Sequence, residues 1–405
     1  MKRKLAALLH QAAKNIPFHR RRAPRKITDL AAWPLMDKYD LLKHSPEQST
    51  ESLDPTRTDN YTIFASGGTT IMPKFLFYTE VEMATIHRNL AKHFIAAEIK
   101  PQDRVMNYFL PGNLYSSFVT VHQTLMLLPI VNVPVGAMSQ KDEVIAAIER
   151  FHVNVIVGMP TSLLDLARHT LARKKHLEID KVFYGGEMMY PAGAELLRKA
   201  WDCRSIRSAG YATVDAGAVG WQCLHCNQNE HFPFKNVFVE IIDDEIVVTP
   251  LYRRLMPIIR YRTGDRGKWV EPSCDCGGGL PLFKLQGRID SVILIWGCRI
   301  IHDHIILPLI DRGLDTATLQ IEARLDSDKE ILTVRFEKDS ITSMADALKT
   351  DLRNDVYTLS TDVANTLSRP FLDTHLFFEP VQPGTLKRNE RTGKVVPFLD
   401  LRASA

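Results

Sequence analysis

Ile63-Phe64-Ala65-Ser66-Gly67-Gly68-Thr69-Thr70-Ile71-Met72-Pro73-Lys74 decides how this 405-residue chain is read. It opens with apolar, strand-like residues, continues with small and hydroxylated ones, and closes on a proline and a lysine. Adjacent glycines let a loop fold tightly enough for successive backbone N–H groups to face one concavity that suits an anion. Ser66, Thr69 and Thr70 add hydroxyl donors, and Lys74 adds positive charge. Phe75-Leu76-Phe77-Tyr78 then reads as a second strand. That counts against a Walker loop, in which Gly-Lys-Ser/Thr runs straight into a helix. Taken alone, the stretch reads as a Gly/Thr-rich hairpin before it reads as a phosphate site.

Further stretches follow it in order: Tyr184-Gly185-Gly186-Glu187, Tyr211-Ala212-Thr213-Val214-Asp215, Arg260-Tyr261-Arg262-Thr263-Gly264-Asp265, Gly287-Arg288-Ile289-Asp290 and Thr392-Gly393-Lys394. The series resembles the adenylate-forming superfamily of acyl-CoA synthetases, luciferases and peptide-synthetase adenylation domains. The opening stretch resembles its Ser/Thr-Gly-Thr-Thr-Gly-x-Pro-Lys phosphate loop. Each later stretch resembles, in turn, its adenine turn, its Tyr-Gly-x-Thr-Glu motif, its ribose motif, its hinge and its catalytic-lysine motif.

The resemblance implies roles residue by residue. Ser66, Gly67, Gly68, Thr69, Thr70 and Lys74 would cradle phosphate. Gly185, Gly186, Glu187, Tyr211 and Ala212 would border adenine, with Tyr211 stacked on it. Asp215 would hold Mg²⁺, Asp265 would accept the ribose hydroxyls of ATP, and Arg288 would steer ribose or phosphate. Asp290 would be the hinge. Lys394 would bridge carboxylate and α-phosphate as the acyl-adenylate forms, with Lys387 the fallback. A cation placed where transition-state charge develops is worth roughly 3–4 kcal/mol. The chain departs from the pattern at Ile71 (for Gly), Ala212 (for Gly), Val214 (for Thr) and Asp215 (for Glu). Outside such a series, Asp265 would be a turn residue, Arg288 a surface ion pair and Lys394 a solvated lysine.

Within the superfamily, the chain looks closest to the phenylacetate–CoA ligases and their relatives that activate aryl or phenazine carboxylates in antibiotic synthesis. Pro34-Leu35-Met36-Asp37-Lys38-Tyr39-Asp40 resembles their N-terminal segment. Asn113 to Phe118 matches a segment lining their aryl pocket, so Tyr115 and Phe118 would flank an aromatic ring, with Gly158 and Gly210 beside it. Core packing explains Tyr115 and Phe118 almost as well, and His122 reads as a core histidine.

Cysteine spacing offers a metal site. Cys223 and Cys226 form C-x-x-C, His231 follows, and Cys274-Asp275-Cys276 is C-x-C beside three glycines. Short spacings on turns suit tetrahedral Zn²⁺. The resemblance favours Cys223, His231, Cys274 and Cys276, and spacing alone favours the four cysteines; reduced loop thiols are the bland alternative. Cys203 and Cys298 read as small buried residues.

Composition sets the frame. A chain of this length with 45% hydrophobic residues can bury a large core as more than one domain. A net charge of +4 implies no nucleic-acid partner, and the basic run His19 to Lys26 reads as a solvated arm. Met1 to Gln11 reads as an amphipathic helix, not a signal peptide, and no run is long and apolar enough for a membrane span. A cytoplasmic protein is expected.

From 82 to 209, short apolar strands alternate with helices, the pattern of a parallel, doubly wound sheet. The turns at 158–160, 185–187 and 210–215 would emerge at its carboxyl ends, where ligands bind. From 220 to 285 come short strands and turns, among them 237–242, 245–249 and 267–270. Beyond 288 follows a unit of strands (292–295, 320–325, 331–336) and helices (343–351, 362–367). The expected fold is α/β: a large adenylating domain, 1–287, with doubly wound, mostly parallel sheets and a zinc-bearing β-subdomain near 220–285. A small, mobile α+β domain, 288–405, carries the catalytic lysine.

The activity so implied is ATP-dependent conversion of an aryl or heteroaryl acid to an acyl-adenylate, then to a CoA thioester. The alternatives are transfer to an amine, carrier protein or reductase, or a non-catalytic nucleotide-binding protein. ATP, Mg²⁺, CoA and structural Zn²⁺ are the implied cofactors, and a homodimer is compatible with them.

Overall fold

The computed structural model describes residues 1–66, 74–112, 114–186, 189, 191–272, 275–288, 292–310, 312, 319–337, 344–388, 395–396 and 398–402. The chain divides into two compact units: Met1–Met189 with Gly193–Ile289, and Tyr190–Ala192 with Asp290–Ala405.

In the first unit, β1 (Tyr61–Ala65) and β2 (Phe75–Thr79) pair as an antiparallel hairpin, in register from Tyr61↔Thr79 to Ala65↔Phe75. The helix Glu80–Ala96 starts directly behind β2 with a capping box, in which Thr79 and Glu82 satisfy each other's backbone N–H.

Five parallel strands follow: β3 (Arg104–Tyr108), β4 (Val131–Pro134), β5 (Val155–Gly158), β6 (Lys181–Tyr184) and β7 (Ser205–Ser208). Their order across the sheet is β4-β3-β5-β6-β7. Alternation along the strands sends Val155, Val157 and Phe183 to one face, against Phe94, Val121 and Leu125 of two helices. Met106, Ile156 and Val182 go to the other, against Ile148, Leu166 and Leu197 of three more. Burial on both faces is why these strands read as short, continuous apolar runs.

A seven-stranded sheet comes next, made of β8 (Tyr211–Thr213), β9 (Gly217–Trp221), β10 (Glu230–Pro233), β11 (Val237–Ile242), β12 (Glu245–Pro250), β13 (Tyr261–Val270) and β14 (Leu282–Arg288). Its order is β11-β12-β13-β14-β10-β9-β8. The strand expected at 267–270 is only the second half of β13. Thr263-Gly264 reads as a turn, yet Gly264 takes φ +75° inside the strand and lets it run on.

The second unit holds the hairpin of β15 (Val292–Ile295) and β16 (Cys298–Ile301). A mixed sheet, β19-β18-β17-β20, is built from β17 (Leu319–Asp326), β18 (Lys329–Glu337), β19 (Leu376–Val381) and β20 (Phe398–Asp400). The helix expected at 343–351 is Asp346–Leu359. Leu352 and Val356, one helical turn apart, are both fully buried and carry it past Asp351. Among the described residues no helix is long and apolar enough to cross a membrane.

Candidate active site

Three turns meet at the carboxyl ends of β5, β6 and β7. The Gly185 N–H donates to the Gly158 carbonyl at 3.1 Å, and the Ala209 N–H donates to Tyr184 at 2.6 Å. Space is tight at Gly158, where a Cβ would lie 3.1 Å from the Tyr108 carbonyl oxygen. Backbone geometry requires glycine at 186 and 210, where φ is +82° and +100°.

Beyond these turns β8 begins at Tyr211, and Asp215 lies two residues past its end. Asp215 is 8% exposed. Its Oδ2 accepts from Lys74 Nζ at 2.6 Å and from the Tyr261 hydroxyl at 2.8 Å, and Lys74 also donates to that hydroxyl at 2.9 Å. Its Oδ1 is buried with no hydrogen-bond partner among the described residues. A buried carboxylate oxygen left unpaired is costly unless a cation or donor meets it. This oxygen and its partners fit the Mg²⁺ role. The neighbouring Val214 packs against the core, and its carbonyl accepts from the Tyr78 hydroxyl.

Tyr211 lies on the same short strand. Its hydroxyl donates to Asp265 Oδ2 at 2.6 Å, so the residues expected at base and ribose are directly linked. The ring is seated edge-on against Phe283, at 5.9 Å between centroids, with His231 at 6.1 Å. Asp265 is fixed from its own strand: its N–H donates to Thr263 Oγ1, and Thr263 donates to the Ile246 carbonyl. Arg288 is the register partner of Asp265 across β13 and β14. Ala212, in the strand after Tyr211, is exposed.

Ser66 and Lys74 close the neck of the opening stretch. The Ser66 N–H donates to the Lys74 carbonyl at 2.9 Å, and the Lys74 N–H to Ser66 Oγ at 3.1 Å. Gly67, Gly68, Thr69, Thr70, Ile71, Glu187, Cys274, Asp290 and Lys394 lie outside the described residues. Lys387 is described and exposed; its backbone N–H and carbonyl both bond to the side chain of Gln320. Tyr115 and Phe118 are half-buried, and Phe118 lies parallel to the His122 ring at 6.5 Å.

The metal reading needs correction at His231. Both of its ring nitrogens face protein partners, Nδ1 the Asn229 carbonyl and Nε2 Ser208 Oγ, each at 3.1 Å. The ring is buried beside Tyr211 and Phe283 and does not join the cysteines as a ligand. Cys223 and Cys226 do come together, with Sγ atoms 3.6 Å apart. Arg207 grips their turn through the carbonyls of Cys223, Leu224 and Cys226. Cys276 is exposed on the turn Asp275–Gly277. Among the described residues no group of three or more His, Cys, Asp or Glu side chains could hold a metal ion.

Tyr261 and Gln320 are functional candidates that sequence reasoning missed. Tyr261 stood inside a quoted motif, and the period-two alternation with Thr263 and Asp265 was the available signal. Gln320 carried no signal.

The chain matches no family model. It is 24% identical over 323 residues to the phenylacetate–coenzyme A ligase of Thermus thermophilus, across 73% of this chain and 71% of that protein. It is 26% identical over 174 residues to the indoleacetate–lysine synthetase of Pseudomonas savastanoi, across 41% of this chain and 43% of that one. A solved structure of 2-hydroxyisobutyryl-CoA ligase, in complex with 2-HIB-AMP and CoA, superposes with a TM-score of 0.72 at 18% identity. The match covers 98% of this chain and 88% of that ligase. The first likeness spans most of both sequences, and the fold is shared along nearly the whole chain: this chain is similar in sequence to a phenylacetate–coenzyme A ligase and has the fold of an acyl-CoA ligase.

Proposed function

We propose that the chain is an AMP-forming carboxylate–CoA ligase acting on an aryl or heteroaryl acid. The acid's carboxylate attacks the α-phosphate of ATP to give acyl-adenylate and pyrophosphate. The thiol of CoA then takes the acyl group and releases AMP. The observation that carries this reading is a pair of carboxylates on either side of β8, Asp265 from β13 and Asp215 two residues past the end of β8. Asp265 meets the Tyr211 hydroxyl on one side, where ribose and base would lie, and Asp215 meets Lys74 on the other, where the phosphates would lie.

Asp215 would hold Mg²⁺ through Oδ1, which has no hydrogen-bond partner among the described residues, with Tyr261 keeping the carboxylate in place. The metal would supply charge neutralisation on the phosphate oxygens. Lys74, joined directly to the same cluster by two hydrogen bonds, brings a cation to the phosphate side. Half-buried Tyr115 and Phe118 support an aromatic acid. The second unit is read as a domain that turns about Asp290 and brings Lys394 to the reacting carboxylate. Among the described residues only Cys223 and Cys226 of the expected zinc ligands are brought together, so a structural Zn²⁺ would require Cys274 and Cys276 to be drawn to that pair.

A second reading passes the acyl group to an amine; the partial likeness to the indoleacetate–lysine synthetase favours it. Pyrophosphate release against a panel of aryl acids tests the first half-reaction. Adding CoA or lysine to the same assays, with thioester and amide products counted, separates the acceptors. Acid-independent or absent pyrophosphate release across the panel would leave only nucleotide binding.

A further inference from the structure

Ser208, the last residue of β7, lies three positions before Tyr211 and is gripped by two buried histidines. His93, on the helix Glu80–Ala96, is 0% exposed, and His231, on β10, is 1% exposed. His93 Nε2 lies 2.9 Å from the Ser208 carbonyl oxygen, which can only accept, so this nitrogen carries the proton. His93 Nδ1 faces both the Gln222 N–H, at 3.2 Å, and the Gln222 carbonyl, at 3.3 Å; with the proton on Nε2 it accepts from the N–H. His231 has the opposite tautomer. Its Nδ1 faces the Asn229 carbonyl at 3.1 Å and must donate, which leaves Nε2 to accept from Ser208 Oγ at 3.1 Å. Ser208 Oγ then accepts the Gly210 N–H at 3.1 Å, and the Ser208 N–H donates to Gln222 Oε1 at 3.1 Å.

Every polar group of Ser208 is therefore assigned a partner, and the chain of bonds ends on Gly210, whose φ of +100° turns the backbone into Tyr211. His231 also stacks on Phe283, at 5.9 Å and 25°, and these two rings form the seat of Tyr211. Burial keeps both imidazoles neutral, at about 4 for His93 and about 3 for His231, so the two tautomers persist through the ordinary working range.

We propose that His93 and His231 are positioning residues of the nucleotide site: they fix Ser208, and through it the turn that presents Tyr211 to adenine and to Asp265. This rests on the reading that Tyr211 meets the nucleotide. It gives His231 a task in place of metal binding. A satisfied core histidine would alter stability alone, whereas a positioning histidine alters nucleotide affinity at constant folded fraction.

The test uses the full-length protein at neutral pH, with AMP as the calorimetric probe and pyrophosphate exchange giving KM for ATP and kcat separately. His231→Leu and Ser208→Ala should each weaken AMP by about tenfold, the worth of one lost buried hydrogen bond. KM for ATP should rise in step, with little change in kcat or in KM for the acid. His231→Gln, which keeps an acceptor near the position of Nε2, should recover most of the affinity. The double variant should be no worse than His231→Leu, since both lesions break one chain of bonds. Unchanged AMP affinity in Ser208→Ala and His231→Leu, at equal folded fraction, overturns the proposal while leaving the ligase reading intact. If His231→Leu fails to fold, the smaller Ser208→Ala lesion decides alone. Wild-type protein that binds no AMP overturns the underlying reading itself.

Discussion

Lys74 Nζ donates to Asp215 Oδ2 across 2.6 Å, and the side chains of both residues are largely buried, at 14% and 11% exposure. This joins the closing lysine of the opening stretch to a carboxylate 141 residues away, while the second carboxylate oxygen stays unmet among the described residues. Removing one partner of such a pair leaves a buried charge uncompensated, at a cost on the order of 3 kcal/mol. Lys74→Met should therefore destabilise the protein by that order in urea titrations, and millimolar Mg²⁺ should restore part of the loss by binding the native carboxylate. Asp215→Asn should lose the Mg²⁺ response altogether. A Lys74→Met variant whose stability ignores Mg²⁺ would remove Asp215 from the metal role.

Acid stability should carry the mark of three buried histidines. Burial is the largest cause holding His19 and His93 at about 4 and His231 at about 3, against an ordinary value of 6.5. Between those values the unfolded chain binds protons that the folded one does not. Stability must then fall as pH drops below 6.5, by about 1.4 kcal/mol per pH unit for each histidine. His93→Gln should flatten the slope between pH 6 and pH 4.5 by about one proton. Denaturant titrations at several pH values would measure it, and an unchanged slope would mean that His93 is not held neutral.

The cysteines make a sharper metal prediction now that His231 is placed elsewhere. If Cys274 and Cys276 are drawn to the Cys223–Cys226 pair, protein washed with a weak chelator retains about one equivalent of zinc, the content of a thiolate-only structural site, and otherwise it retains none. His231→Gln should keep it, whereas Cys223→Ser should lose it and melt at lower temperature, because ligand bonding is coupled to folding. Zinc lost with His231 and kept with Cys223 changed would reverse the assignment.

Legibility in the sequence followed the locality of each signal. The parallel sheet could be read because Val155 to Gly158 and Lys181 to Tyr184 are buried on both faces and stand between amphipathic helices. The pairing of Tyr211 with Asp265 could be placed only as two roles in one site; their direct bond depends on β13 and β8 sharing a sheet through β14, β10 and β9. His231 was misread because Cys-x-x-Cys lies five residues before it, and spacing is blind to which way a strand turns its ring. Ser208 and His93 carried no signal at all. Their bonds to each other and to Gln222 join three distant segments, and only the folded chain brings them together.

Gln320 supplies the last prediction. It is 1% exposed on β17, and its Nε2 donates both to the Lys387 carbonyl, at 3.1 Å, and to the Val396 carbonyl, at 2.7 Å. Its Oε1 accepts the Lys387 N–H at 3.3 Å, and the Val396 N–H donates to the Lys387 carbonyl at 2.9 Å. Arg388 and Val395 pair antiparallel beside it, and Glu337 holds Gly384 and Arg388 from the neighbouring strand. The neck of the segment that contains Lys394 is thus clamped from both sides by one side chain. If Lys394 acts only in forming the acyl-adenylate, its loss and the loss of its support should affect that step alone. Lys394→Ala should slow pyrophosphate exchange by about a hundredfold or more. Gln320→Leu, which removes the clamp but not the lysine, should slow it by about tenfold through poorer placement. Both should form thioester from supplied acyl-adenylate at the wild-type rate. Lys387→Ala should be silent in both assays, since among the described residues only the backbone of Lys387 is engaged. If Gln320→Leu slowed thioester formation as much as adenylation, the clamp would serve the stability of the second unit rather than the lysine. If Lys387→Ala reproduced the Lys394→Ala defect, the catalytic lysine would be Lys387.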